Sequence, residues 1–339
     1  MWKHFTFLFL ANILLAGCQA GFTDVNQSLS VREMSKLSAG KYTGVAWVSK
    51  TTLVLEVDEG NLFVNQRMCS RQSINIYEMK TNQLRSLPLP FGNDCRSYII
   101  RNLQVLSDQQ AGYVFEYPKL NSLIIKSVDI RAAKETDLYT ETASNSSLDQ
   151  FSYSPDMKEL LIVDVQSTLL KSAIYLLDTS GTRINITADF LRADFPVWSQ
   201  KGNLIAFFGT KPYPGSDDKI EHFSQLERRV DYPWRLYLYV PESLTTEELP
   251  LDVVGPSSLK WSPDGKMLAF SGEYKGLPGV WIVGNLDDHE NLAVTRIING
   301  LAAFDFSPDS TSIAYAYLGL QNTDKQDTLY VIDLQNVVE

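Results

Sequence analysis

Histidine is almost missing from this chain: three in 339 residues, at His4, His222 and His289. Residues so few and so far apart do not supply a histidine-rich metal site. Cysteine is as scarce. Cys18, Cys69 and Cys95 stand alone, without the paired spacing that holds zinc. Basic residues are outnumbered, 30 Lys and Arg against 40 Asp and Glu, for a net charge of −10. A chain of that sign lacks the clustered cations that neutralise phosphates, so nucleic acid is not an expected partner. Nor does its surface favour anionic lipid. The plain consequence of the acidity is solubility. No Gly-x-Ser-x-Gly elbow and no phosphate-cradling glycine loop is present. Helix-like periodicity over twelve or more residues is not found after residue 20. No cofactor and no metal are therefore expected.

The longest apolar run is Phe5–Ala16, behind a short start whose charge is Lys3. Its twelve residues fall short of the roughly 20 that span a bilayer. They suit the core of a secretory signal. The run ends Leu15-Ala16-Gly17-Cys18. Small residues admit the backbone to a peptidase cleft, and the next thiol can take a thioether-linked diacylglycerol. This stretch resembles the lipobox of bacterial lipoproteins at every position. The resemblance implies a signal peptide over 1–17, a lipid on Cys18 and a tether over 18–27. A single acyl chain holds only marginally, at about 0.8 kcal/mol per buried methylene, whereas the two or three chains of such lipoproteins hold permanently. Gln19, where Asp would signal inner-membrane retention, implies the periplasmic side of an outer membrane if the cell is Gram-negative.

Beyond the leader, aromatic and β-branched residues share short runs, as around Tyr113, Trp281 and Tyr330, which is strand chemistry. Four segments align: Phe151–Val163, Pro196–Phe207, Leu259–Phe270 and Phe304–Tyr315. Each carries an aromatic residue, then Ser, a turn and an apolar strand. In the clearest copy Pro263 presets φ, Asp264 bonds the backbone ahead and Gly265 takes a positive φ, so a tight hairpin is expected. The aligned serines Ser154, Ser199, Ser262 and Ser307 are spaced 45, 63 and 45 apart. Degenerate copies begin at Val45 and Leu103. Third strands are expected at Ile74–Met79, Ser122–Val128, Ala173–Asp178, Arg235–Val240, Gly279–Val283 and Thr328–Asp333. A four-stranded unit recurring every 40–50 residues or so is a propeller blade. The reading is all-β: a six-bladed β-propeller over 28–339. Its last blade lacks a fourth strand of its own. Ser28–Met34 is expected to supply it, closing the ring and covering an open edge.

Trp-Ser-Pro-Asp-Gly-Lys-x-Leu-Ala-Phe at Trp261–Phe270 resembles the TolB-type, WD40-like propeller repeat. The resemblance implies fold more than function, since the same repeat serves TolB and the propellers of prolyl oligopeptidase relatives. TolB carries a further domain ahead of its propeller. Only about 25 residues separate Cys18 from the first blade here, so that domain is not expected.

With strands A to D running from axis to rim, the Ser-Pro-Asp turns share one face with the C–D turns. The B–C and D–A loops share the other. Two long B–C connections fall on that second face, about Thr210–Trp234 in blade four and about Asp58–Ser73 in blade one. Long loops on a rigid scaffold often carry function. The blade-four insertion offers candidate binding residues Tyr213, Asp217, His222, Arg228, Arg229 and Trp234, types that dominate interface hot spots. His222 beside Asp217 or Glu221 offers acid–base work as an alternative. Asp217-Asp218 and Asp287-Asp288 lack the glycine and alternating oxygens of a calcium loop and read as solvated. Cys69 and Cys95 fall on neighbouring loops of this face. In an oxidising compartment they are expected to form a disulfide, two free buried thiols being the alternative.

The expectation is thus a non-catalytic protein-binding or scaffold propeller, lipid-anchored in the cell envelope, with a protein partner on the long-loop face. Two alternatives stay open. One is a lyase or hydrolase in the central channel, which convergent Asp or Glu would favour. The other is a carbohydrate or peptide binder using the same aromatics.

Overall fold

The computed structural model describes residues 29–36, 40–64, 67–87, 99–117, 122–142, 146–166, 171–212, 234–318 and 327–334. Among the described residues every regular element is a strand, and no helix occurs. The expected leader, Cys18 and the expected tether lie outside them.

A lone strand, β1 (Val31–Lys36), comes first. It is followed by an antiparallel meander of β2 (Lys41–Ser49), β3 (Thr52–Val64), β4 (Arg67–Glu78) and β5 (Gln83–Ser86). A second sheet comprises β6 (Ile99–Ser107), β7 (Gln110–Tyr117), β8 (Ser122–Asp129) and β9 (Lys134–Thr142). The third comprises β10 (Ser146–Tyr153), β11 (Leu160–Gln166), β12 (Lys171–Leu177) and β13 (Arg183–Asn185). Next come β14 (Arg192–Trp198), β15 (Ile205–Thr210), β16 (Trp234–Val240) and β17 (Thr245–Trp261). β18 (Leu268–Tyr274), β19 (Leu277–Gly284) and β20 (Ala293–Asn299) continue from them as one seven-stranded sheet. The last sheet holds β21 (Ala302–Phe306), β22 (Ser312–Tyr317) and β23 (Thr328–Asp333), with β1 as its fourth strand.

β17 serves two meanders. Its first half pairs with β16 and its second with β18, and the register slips between Val254 and Ser258. Gly255, at φ +56°, supplies the bend that a side chain would resist. The innermost strands pack in sequence: β2 on β6, β6 on β10, β10 on β14, β14 on β17, β17 on β21, and β21 on β2.

The N-terminal strand pairs with the last one, as expected, but two to three residues further along. Val31 faces Ile332 and Lys36 faces Thr328. Asp333 N–H also donates to the carbonyl of Ser30 at 3.2 Å. The chain ahead of Ser30 therefore leaves from the Ser-Pro-Asp turn end. The connection expected as a loop at Asp58–Ser73 is instead a hairpin extension. β3 and β4 stay paired out to Val64 and Arg67, past a bulge between Asp58 and Asn61.

Apolar side chains fill the spaces between sheets. Tyr42, Trp47, Leu53, Leu55, Ala314, Leu329 and Val331 form one such layer between the first and last sheets. Trp281, Tyr113, Phe115, Phe207 and Phe270 are fully buried. Each such ring removes about 150–250 Å² from water, which dominates the energetics of these faces.

The repeated turn follows its chemistry closely. Ser262 Oγ donates to Asp264 Oδ1 at 2.6 Å and accepts Met267 N–H at 2.9 Å, while Gly265 N–H reaches the Ser262 carbonyl at 2.8 Å. Ser154 and Ser307 repeat the pattern with Asp156 and Asp309. These bonds hold both aspartates below the usual carboxylate range, the serine hydroxyl being the largest cause. At Ser199 no Asp follows, and Asn203 takes the hydroxyl at 3.0 Å instead.

Candidate functional site

The long-loop end of the β14–β17 meander carries a cluster of cations, aromatics and acids. Strand pairing sets Arg192 opposite Thr210, at the mouth of the insertion. Its guanidinium lies 4.5 Å from the Trp234 ring centre and 3.4 Å from Asp194 Oδ2. Lys211 lies 4.6 Å from the Phe190 ring centre and 3.1 Å from Asp189 Oδ2. Arg235 bridges Asp252 at 3.0 Å and Glu248 at 2.5 Å. Tyr237 donates its hydroxyl to Glu248 Oε2 at 2.9 Å. Burial, then that carboxylate, push the phenol well above its ordinary range. Of the expected binding residues, Trp234 therefore sits at the base of this cluster. Tyr213, Asp217, His222, Arg228 and Arg229 lie outside the described residues.

A second feature lies among the inner strands. β6, β10, β14 and β17 border a cavity of about 300 Å³, here called axial, lined by Arg101, Gln104, Gln150, Phe195, Ser258 and Lys260 among others. Bulges shape it. The register slips between Arg101 and Gln104 on β6 and between Asp194 and Val197 on β14. Asn102 and Phe195 hold positive φ there, +57° and +58°. For a bulky side chain such as Phe this region is strained. The strain is held by a bond from Phe195 N–H to Gln150 Oε1. On the next wall Gln104 Nε2 donates to the Phe151 carbonyl at 2.6 Å. Arg101 pairs with Glu116.

Two acids are buried on other strands, Asp305 on β21 and Glu56 on β3. Asp305 Oδ2 accepts Trp47 N–H at 2.8 Å. Burial raises its pKa, while Lys260 and the Trp47 amide lower it. Glu56 accepts Thr43 Oγ1–H at 2.9 Å, and burial pushes it up to about 7. Gly44 makes room for it: a Cβ there would lie 2.9 Å from Glu56 Oε2.

On the turn face a larger cavity of about 700 Å³ lies between the turns of the fourth, fifth and last meanders. Trp261, Leu204, Met267, Leu286 and Leu334 line it together with Lys201 and Asp264. Sequence reasoning placed its candidate residues on the other face, kept a central channel only as an alternative, and named no lining residue of either cavity. A signal existed for the axial one. Two places before each aligned serine stand Ser152, Val197, Lys260 and Asp305. Three of the four are polar, each between two apolar residues.

Cys69 lies on β4 opposite Leu62 in the ladder. Cys95 and Cys18 lie outside the described residues, and so does the expected disulfide as a bond. His289 Nδ1 sits 2.7 Å from Glu247 Oε1 on the turn side. Among the described residues no group of three His, Cys, Asp or Glu side chains is placed to hold a metal ion. Nor is any helix there long and apolar enough to cross a membrane.

No protein-family model matches the sequence, and no curated protein matches it. Solved structures do match the fold. TolB from Acinetobacter baumannii is 15% identical with a TM-score of 0.53, over 78% of this chain and 60% of that one. The chain thus spans 60% of that TolB's length. An oligogalacturonate lyase from Vibrio parahaemolyticus is 12% identical with a TM-score of 0.52, over 94% of this chain and 97% of that one. Hydrazine synthase from Kuenenia stuttgartiensis is 14% identical with a TM-score of 0.52, over 84% and 94%. At such identities the likeness speaks of fold alone: the chain has an all-β fold of antiparallel sheets like that of TolB-type β-propellers.

Proposed function

We propose that this chain is a lipid-anchored envelope protein whose six-bladed propeller is closed by β1 and presents its long-loop face to a protein partner. The observation that carries the reading is the exit of the N-terminal segment from the turn end, through the pairing of Val31 with Ile332. A lipid on Cys18 would hold the turn face toward the membrane. The Arg192–Trp234 cluster and the insertion it borders would then point outward. Arg and Trp over a mixed-charge rim are the residue types that carry protein interfaces. The in-sequence packing of inner strands, returning from β21 to β2, supports a closed ring of six. Gln19 favours an outer membrane in a two-membrane cell. A Cys69–Cys95 disulfide would brace the first blade on the outward face.

Fatty-acid labelling of cells making the native chain or Cys18→Ser tests the anchor. The native chain takes label and floats with membranes, and the variant does neither. Equal behaviour of the two removes the anchor from this reading. In-cell crosslinking from each face tests the partner side.

An enzymatic reading draws on the oligogalacturonate lyase likeness, which concerns fold. The axial cavity, lined by amides, hydroxyls and a lysine, favours ligand binding over acid–base chemistry.

A further inference from the structure

We infer that the axial cavity is a binding site for a small carboxylate that also carries hydrogen-bond donors, with Lys260 as its cation. This does not depend on the protein-binding face.

The residue two places before the aligned serine turns toward the next inner strand. Ser152 Oγ there accepts Trp198 N–H at 3.3 Å, and Asp305 Oδ2 accepts Trp47 N–H at 2.8 Å. Each is an acceptor that latches one sheet to the next. Lys260 occupies the same column but has only donors, so it cannot form that latch. It is half-buried and lines the cavity, and its side chain has no hydrogen bond or ion pair among the described residues. Its electrostatic partner is Asp305, itself engaged with Trp47.

The neighbouring groups complete a polar cradle. Phe195 N–H must donate, so the Gln150 atom it meets is the oxygen, and Gln150 Nε2 is left as a donor. The Phe151 carbonyl must accept, so Gln104 bonds it through nitrogen, and Gln104 Oε1 is left as an acceptor. Ser258 adds a hydroxyl. Arg101 is balanced by Glu116 and adds no net charge. Among the groups that line the cavity the surplus is one cation, Lys260, with two or more donors beside one amide acceptor. A carboxylate matches Lys260, Gln150 and Ser258, and an adjacent hydroxyl or ammonium on the ligand matches Gln104. A volume of about 300 Å³ suits a small ligand or the end of a chain. The strained φ of Phe195 is what fixes the Gln150 amide in its donor orientation, as expected where strain serves a site.

That chemistry has two sources, a free hydroxy or amino acid and the carboxyl end of a peptide. Calorimetric titration of the full chain in detergent micelles, with D-gluconate, L-glutamate, an acidic tripeptide and inorganic phosphate, separates them. Saturable binding of a small acid or of the tripeptide is expected, and whichever binds names the source. Lys260→Gln should weaken it at least about tenfold, as loss of one charge-assisted bond does, and Lys260→Arg should restore most of it. Should Lys260→Gln not fold, Gln150→Glu keeps an oxygen for Phe195 and sets a like charge against the ligand; binding should then vanish. The site is overturned if no carboxylate binds, if phosphate binds as tightly as the carboxylates, or if Lys260→Gln or Gln150→Glu leaves affinity unchanged.

Discussion

Trp47 and Asp305 are 258 positions apart, yet the amide of one donates to the carboxyl of the other at 2.8 Å. The bond joins the first sheet to the last, within the apolar layer of Tyr42, Leu55 and Val331. Both partners are buried. Asp305→Ala leaves the Trp47 N–H without an acceptor and is expected to cost about 2 kcal/mol in urea unfolding. Asp305→Asn keeps a carbonyl oxygen there and should cost clearly less. Equal losses would mean that the bond does not hold this seam.

Glu56 makes stability depend on pH. Its carboxyl is pushed from 4.5 to about 7, burial being the largest cause. Between those values the folded chain keeps a proton that the unfolded chain releases. The contribution is whole below pH 4.5 and is lost as pH rises through about 7. The full effect is on the order of 3 kcal/mol. Glu56→Gln retains an acceptor for Thr43 and never ionises. It should match the native chain near pH 5 and exceed it in denaturant midpoint at pH 8. Parallel curves for the two chains across that range would rule this out.

Met157 holds φ +60° in the place that Gly202 and Gly265 fill in other copies of the turn. Its side chain is 38% exposed, so little packing offsets the strain. A left-handed conformation costs a side-chain-bearing residue about 1–2 kcal/mol. Met157→Gly is therefore expected to stabilise by up to about 1 kcal/mol, part being returned to the freer unfolded chain. Thermal melting at fixed pH reads it, and a lower Tm would contradict it.

The parts of the fold that were legible in the sequence are those set by short-range chemistry. Ser262, Asp264 and Gly265 describe their own turn, and Thr328–Asp333 has the strand limits expected of it. The closing strand was legible from the missing fourth strand of the last sheet. Its register was not, because the alternation of Ser28–Met34 stops at Val31 and Val31–Lys36 is largely exposed, so no buried face fixes the pairing. The hairpin beyond Asp58 was hidden because a bulge interrupts its period. The continuous β17 was hidden because its sequence reads as two strands about Gly255. The axial cavity was the least legible part. Phe195 looks like core, and Gln104 and Gln150 look like surface. Only the bulges turn them toward one another.

The outward-face reading is tested most directly by photo-crosslinking in the native cell. A photoreactive residue is placed at Lys211 or Asp252 on the long-loop face, and at Lys201 or Lys266 on the turn face. All four side chains are exposed or partly exposed. Protein adducts are predicted from Lys211 and Asp252, and none from Lys201 and Lys266. Adducts confined to the turn-face pair, or none from any position, would contradict it.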